Sequence, residues 1–371
     1  LDGLVAAEHS APSELEFKKF IHGLQTQAVV TDCTMFLLTS GGEVSISPEH
    51  TMVDGLIELS DEQYGWRSMR DLMVRKFRGS SYLRGRHPFR ITNKGIEVFP
   101  RIESLLSEPS HDPGSQTKRI TTGSPSLDAM MGGGLTAGST TLLVGPTGSG
   151  KTALGLQFLS AASKAEPGLH FGFFESNARL LTKADSLGLN IRELVKDGHV
   201  GLIWQPPTEE LIDALAQQLL ENVRRRKVKR VVIDGLAGFQ RLAIGQDRIA
   251  PFFTALVNEL RGMGVTTFAS LEVADLIGPI ARAPVSDLST ITENLMLMRY
   301  VELHSRLYRL ISILKVRDGD FDPVLREFSL GKKGLVVGDS FNNVEALLSG
   351  FGRGVDPSAA ADGNVRTETS S

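Results

Sequence analysis

The octapeptide GPTGSGKT, running Gly145, Pro146, Thr147, Gly148, Ser149, Gly150, Lys151 and Thr152, decides how the rest of the chain is read. It fits the phosphate-loop pattern of a glycine, four residues, then Gly-Lys-Thr. Its context fits as well. An apolar β-branched run, TTLLVG (140–145), ends at the first glycine, and a helical stretch, TALGLQFLSAA (152–162), follows. Glycines at these places let backbone N–H groups curl around a phosphate with no side chain in the way. The helix N-terminus adds partial positive charge. Lys151 is then placed to reach the β- and γ-phosphates of ATP, and Thr152 to put its hydroxyl on Mg2+. A glycine-rich turn that binds nothing is the competing reading, and it leaves the Lys-Thr pair and both flanking elements unexplained.

Outward from the loop, short apolar runs alternate with helical stretches. LHFGFF (169–174), HVGLIW (199–204), VKRVVID (228–234) and VTTFASLEV (265–273) read as strands with near-continuous apolar character. Such runs belong to a parallel sheet covered by helices on both faces. From Asn294 the pattern changes. LMLMRYVEL, SRLYRLISILKV, VLREFSL and GLVVG read as successive strands, antiparallel at the end of the sheet. The expected class is an α/β P-loop NTPase.

Within that frame other residues become candidates. Asp234 ends the strand RVVID, where a carboxylate beside the phosphate loop is a second Mg2+ handle; helix capping is the plainer alternative. Glu175, read as the end of the strand HFGFFE, is the candidate base for the attacking water, against a merely solvated acid. Lys315 and Arg317 alternate along ILKVRDGD, so period two puts both on one strand face. Two cations on one face call for an anion, and in a ring of subunits that anion is a neighbour's γ-phosphate. A solvated polar strand face is the alternative.

Composition narrows the possibilities. The chain has 371 residues, 41% hydrophobic and 22% charged, with a formal net charge of −3. This length suggests about two domains. The near-neutral balance gives no global reason for nucleic-acid or anionic-membrane binding. No apolar run approaches the roughly 20 residues of a membrane helix, and the N-terminus as given shows no signal peptide. One cysteine, Cys33, excludes an internal disulfide and a cysteine zinc site; a buried thiol in a reducing, cytoplasmic setting is expected. SEPSHDPGSQTK (107–118) reads as a linker, and residues 346–371 as a flexible tail.

The chain also repeats itself. At an offset of 232, Leu1-Asp2-Gly3-Leu4 falls on Ile233-Asp234-Gly235-Leu236. At an offset of 239, Arg67, Arg70, Lys76, Arg78, Phe89, Lys94 and Gly95 fall on Arg306, Arg309, Lys315, Arg317, Phe328, Lys333 and Gly334. Lys76 and Arg78 thus repeat the paired cations. This is the mark of a tandem duplication, with about seven extra residues in the second copy between Leu271 and Thr292. The expected division is a C-terminal half of a first domain (1–106), the linker, and a complete second domain (119–345). By this reading the first copy is incomplete, its front half with the phosphate loop lying upstream of Leu1. LDGLVAAE (1–8) reads as the end of a strand running into a loop.

Together these motifs resemble the KaiC family of RecA-like ATPases. RITTGSPSLDAMMGGGLTAGSTTLLVGPTGSGKT is similar to the start of a KaiC domain. SDLSTITENLMLMRYVEL and LKVRDGDFDPVLREFSL are similar to the close of the family's second domain, and the segment from His50 to Arg101 to the close of its first. The resemblance implies a double-ring homohexamer with ATP between subunits, and Lys315 and Arg317 acting in trans. It also implies autophosphorylation at Ser289 and Thr290 of LSTIT. Two departures stand out. The family's paired glutamates read Phe174-Glu175 here, and Asp318 replaces a glycine after Arg317. The tail does not match, so signalling partners other than clock proteins fit equally well. Two other functions compete. RRRKVKR (224–230) raises a RecA/RadA-type DNA-dependent motor, against a solvated helix end. The lost glutamate raises a non-catalytic ring held together by ATP.

Overall fold

The computed structural model describes residues 3–39, 52–109, 114, 117–273, 286–303, 305–317, 319–340 and 351–352. It divides into two compact units, Leu1–Ser104 and Leu105–Ser371.

The first unit begins with helices α1 (Leu4–Ser10) and α2 (Glu14–Val30). Ser13 caps α2 by accepting from Glu16 N–H, and Glu14 and Glu16 favour its positive end. Four antiparallel strands follow in spatial order: β1 (Gly55–Tyr64), β2 (Arg67–Phe77), β3 (Arg86–Thr92) and β4 (Gly95–Val98). A short helix, α3 (Ile102–Leu105), falls at the division between the units. The stretch expected to open on a strand end is instead helical from Leu4, after Gly3 at φ 84°. The equivalent second-copy segment has the same form, with Gly235 at φ 98° before a helix over 237–242. Cys33 is exposed, against the expectation of burial. It sits just beyond α2, beside Asp32 in a left-handed turn at φ 47°, outside the small Leu4–Phe17–Ile21 core.

The second unit is built on a ten-stranded sheet. In chain order its elements are β5 (Arg119–Ile120), α4 (Pro125–Met130), β6 (Leu135–Thr136), β7 (Thr140–Gly145), α5 (Lys151–Ser160), β8 (Gly168–Gly172), α6 (Asn177–Ser186), α7 (Ile191–Lys196), β9 (Val200–Trp204), α8 (Ile212–Arg226) and β10 (Arg230–Asp234). They continue with α9 (Ala237–Leu242), α10 (Ile249–Gly262), β11 (Thr266–Glu272), α11 (Ser286–Ile291), β12 (Asn294–Leu303), β13 (Arg306–Val316), β14 (Arg326–Gly331), β15 (Gly334–Ser340) and β16 (Phe351–Gly352).

Six strands run parallel in the order β12-β7-β11-β10-β8-β9, and β13, β14 and β15 extend the edge antiparallel. This is the sheet the sequence predicts. Every residue of β7 is buried, as a central strand covered on both faces must be. On one face α5 packs Leu154, Leu156, Phe158 and Leu159 against Val232, Phe268, Met296 and Met298. On the other, Phe253 meets Phe239 and Phe252 edge to face, and Phe239 and Phe252 pack at a tilt. Helix α8 turns an apolar stripe inward (Leu215, Ala216, Leu219, Leu220, Val223) and carries Arg224, Arg225 and Arg226 in its last turn, where the helix dipole favours cations.

The duplication is visible element by element. Strands β12 and β13 start and stop where β1 and β2 do, each displaced by 239. Both hairpins carry a bulge at the same place, Leu56/Ile57 in one and Leu295/Met296 in the other. Within the expected tail, Phe351–Gly352 pairs with Glu302–Leu303; residues 353–371 lie outside the described residues, as do Asp2 and Asp318.

Candidate functional site

The site sits at the C-terminal ends of the parallel strands, where β7 leaves the sheet. The loop between β7 and α5 holds Gly148 at φ 77° and Gly150 at φ 109°, both left-handed conformations that cost a side-chain residue strain. Gly145 is needed for a second reason. A Cβ there would lie 2.7 Å from Met298 O and 2.8 Å from Ser149 Oγ. The glycine spacing is therefore a packing requirement as well as a phosphate cradle.

Lys151 opens α5 and folds its ammonium back onto the loop, donating to Gly145 O and Pro146 O at 2.7 Å each. Burial lowers its pKa, and the charges of Glu272 and then Asp234 oppose that. Thr152 Oγ donates to Asp234 Oδ2 at 2.8 Å, across 82 residues of sequence. The two oxygen groups expected to share a cation therefore do meet. Ser270 donates to the other carboxylate oxygen at 2.8 Å, and His170 Nε2 lies 3.5 Å from Oδ2. Burial pushes the Asp234 carboxyl up, but His170, Ser270 and Thr152 outweigh it and hold the pKa at about 2. His170 is 1% exposed and neither ring nitrogen has a hydrogen-bond partner within the protein. Sequence reasoning passed over it, because a histidine inside an apolar strand gives no signal until β8 and β10 are paired.

Glu175 is not a strand-end residue. Strand β8 stops at Gly172, and Glu175 stands three residues further on, just before α6, where Lys183 ion-pairs with it. Phe174, where the family pattern has an acid, packs over Gly235, and the Arg241 guanidinium lies 5.1 Å from its ring centre.

Lys315 and Arg317 are placed elsewhere. Pairing of Asn294 with both Thr141 and Val316 puts them level with the start of β7, two strands away, and about 13 Å along the strand direction from the phosphate loop. There they cap the end of α11. Lys315 Nζ donates to Ser289 O and Thr292 O at 2.7 Å each, and Arg317 Nη2 to Thr290 O at 3.1 Å. Burial and the neighbouring Arg317 lower the Lys315 pKa. The structure thus joins the paired cations to the Ser289-Thr290 segment and separates both from the loop of the same chain. Arg261 joins this group, bonding Ile291 O at 3.1 Å and Glu293 at 2.5 Å.

The basic run 224–230 is engaged within the fold. Arg224 pairs with the fully buried Glu259 at 2.6 Å, Arg225 bonds Asn222, and Lys229 bonds Met263 O. Arg230, 3% exposed, pairs with Glu166 at 2.9 Å. Among the described residues no cluster of three His, Cys, Asp or Glu side chains stands ready to hold a metal, and no helix is long and apolar enough to cross a membrane.

A parallel sheet of this order, with its phosphate loop after a central strand and an acid ending the strand two places away, defines a RecA-like P-loop ATPase domain. The family model described as "ATPase: KaiC" matches residues 13–103 and 120–341. The chain belongs to the KaiC ATPase family. It is 28% identical over 337 residues to the circadian clock oscillator protein KaiC of a Picosynechococcus strain, covering 90% of this chain and 64% of that protein. It is 30% identical over 303 residues to the KaiC of Thermostichus vulcanus, covering 81% and 57%. It is 29% identical over 314 residues to the circadian clock protein KaiC3 of a Synechocystis strain, covering 83% and 60%. The chain therefore spans about three-fifths of the length of these relatives.

Proposed function

We propose that the second unit binds Mg2+-ATP and hydrolyses it at the interface between copies of the chain. The 2.8 Å bond between Thr152 and Asp234 carries this reading, because it brings a hydroxyl and an ionised carboxylate together at the mouth of the phosphate loop. That donor set suits Mg2+, which takes one or two protein oxygens and completes its shell with phosphate and water. Bound there, Mg2+ neutralises charge on the β- and γ-phosphates. The glycine-lined loop amides hold the phosphates, and Lys151 exchanges its two carbonyl partners for phosphate oxygens. Lys151→Ala is expected to weaken nucleotide binding at least about 100-fold, read by titration with a fluorescent ATP analogue. Binding unchanged by that substitution breaks the reading.

We further propose that Lys315 and Arg317 act in trans. Their distance from the loop of their own chain supports this, since they sit level with the opposite end of β7. A closed ring, a hexamer by analogy with the family, satisfies the geometry: each copy presents its cations to the next copy's nucleotide. Light scattering after size exclusion, with and without ATP, tests it; a monomer under both conditions sinks it. Autophosphorylation of Ser289 or Thr290, and a role in clock-like or other signalling in the cytoplasm, follow the same analogy. Mass spectrometry after incubation with ATP tests the first. A second reading is favoured by Phe174: a ring stabilised by ATP that turns it over negligibly. ATP-dependent assembly without phosphate release identifies it.

A further inference from the structure

One acid at the phosphate loop has no part in the chemistry described so far. Glu272 closes β11, the strand lying between β7 and β10, so it stands between the loop and the Asp234 strand. Parallel pairing sets Glu272 level with Gly145, and Val273 N–H donates to Gly145 O at 3.3 Å, which fixes the backbone there. The Glu272 carboxylate accepts the hydroxyl of Thr147, at the tip of the loop. Both side chains are exposed, so the contact places the acid at the open mouth of the site rather than in the core. After burial, which lowers the Lys151 pKa, Glu272 is the carboxylate that acts most strongly on that ammonium, ahead of Asp234.

The acid on the other side of Asp234 is engaged elsewhere. Glu175 is answered by Lys183 and lies beyond the strand end. Phe174 presents an aromatic ring, so close to Gly235 that a Cβ there would lie 2.6 Å from it. Glu175 is thus held in an ion pair away from the loop, whereas Glu272 is held by a hydroxyl of the loop itself.

We propose that Glu272, in place of Glu175, orients and deprotonates the attacking water. The assignment rests on the hydrolytic reading above. The water oxygen bonds to the γ-phosphorus while the bond from that phosphorus to the β,γ-bridging oxygen breaks. ADP leaves with the electron pair, and the water's proton passes to Glu272 and then to phosphate or solvent. Thr147 holds the carboxylate at the loop tip.

The test compares the 371-residue chain with its Glu272→Gln and Glu175→Gln variants. Phosphate release is measured at saturating ATP, and binding is measured separately with methylanthraniloyl-ATP. Glutamine keeps the shape and removes the basicity. Glu272→Gln is expected to lower turnover about 100-fold or more, with the nucleotide Kd within about threefold. Glu175→Gln is expected to stay within about threefold in both. Glu272→Asp, a second variant that keeps the charge, is expected to recover part of the rate. Turnover of Glu272→Gln near the parent's, with Glu175→Gln impaired, overturns the assignment and leaves the hydrolytic reading standing. An equal loss of binding and turnover in Glu272→Gln also overturns it, making the residue a binding group. A parent chain that binds nucleotide yet releases no phosphate overturns the hydrolytic reading, and this assignment with it.

Discussion

The hairpins β1–β2 and β12–β13 have the same lengths, the same register and the same bulge, yet opposite surroundings. In the second unit Met296 and Met298 are fully buried. Their counterparts in the first unit, Ile57 and Leu59, are 50% and 55% exposed. The hairpin forms in both because its alternation, turn and bulge are local properties. What differs is its cover. In the second unit β7 pairs with β12, and α5 lies across the buried face. Among the described residues of 1–104 no element corresponds to either. The same contrast affects residues 33–39, which are not in a strand, whereas the equivalent β11 is paired on both sides. Strand formation is local, but a core residue is made by what packs upon it.

The largest effect should appear in the core. Met296→Ala is expected to cost about 2–4 kcal/mol in denaturant unfolding, since it leaves a cavity under α5. Its twin Ile57→Ala should cost about 0.5 kcal/mol or less. Equal costs would break the contrast.

A smaller effect comes from Asp234. Its folded pKa of about 2 lies below the ordinary 3.8. Folding is therefore favoured while the group is ionised in both states, by roughly 2 kcal/mol above pH 4. That contribution is lost as pH falls from about 4 through 2. Asp234→Asn should flatten the acid limb of stability against pH over that window. An unchanged limb would mean the surrounding donors do not hold the carboxylate in this way.

The smallest effect compares two glycines. Gly3→Ala meets nothing within 4 Å and pays only for its left-handed φ of 84°, about 1 kcal/mol. Gly235→Ala, at φ 98°, adds a collision with Phe174 and is expected to cost at least about 1 kcal/mol more. Calorimetric melting of the two variants measures the difference, and a larger loss in Gly3→Ala would contradict it.

Much of the candidate site is legible in the sequence because its parts are contiguous. Gly145 to Thr152 is one loop, and Asp234 ends a strand whose apolar run announces it. The strand ends three residues before Glu175, although apolar Phe173 and Phe174 continue its pattern beyond the last ladder bond. Cys33 is exposed, and average cysteine burial says nothing of a residue just past a helix end.

The sequence by itself determined the phosphate loop, the order of strands and helices, and the repeat. These depend on periodicity, on glycine spacing and on residue types close together along the chain. Only the tertiary structure decided which acids stand beside the loop. Glu272 meets Thr147 across 125 residues, and Lys315 and Arg317 stand level with the far end of β7. The physical reason is the register of a parallel sheet. Strands brought side by side through helical crossovers set remote residues level with one another, and hydrogen bonding between neighbouring strands fixes which ones meet.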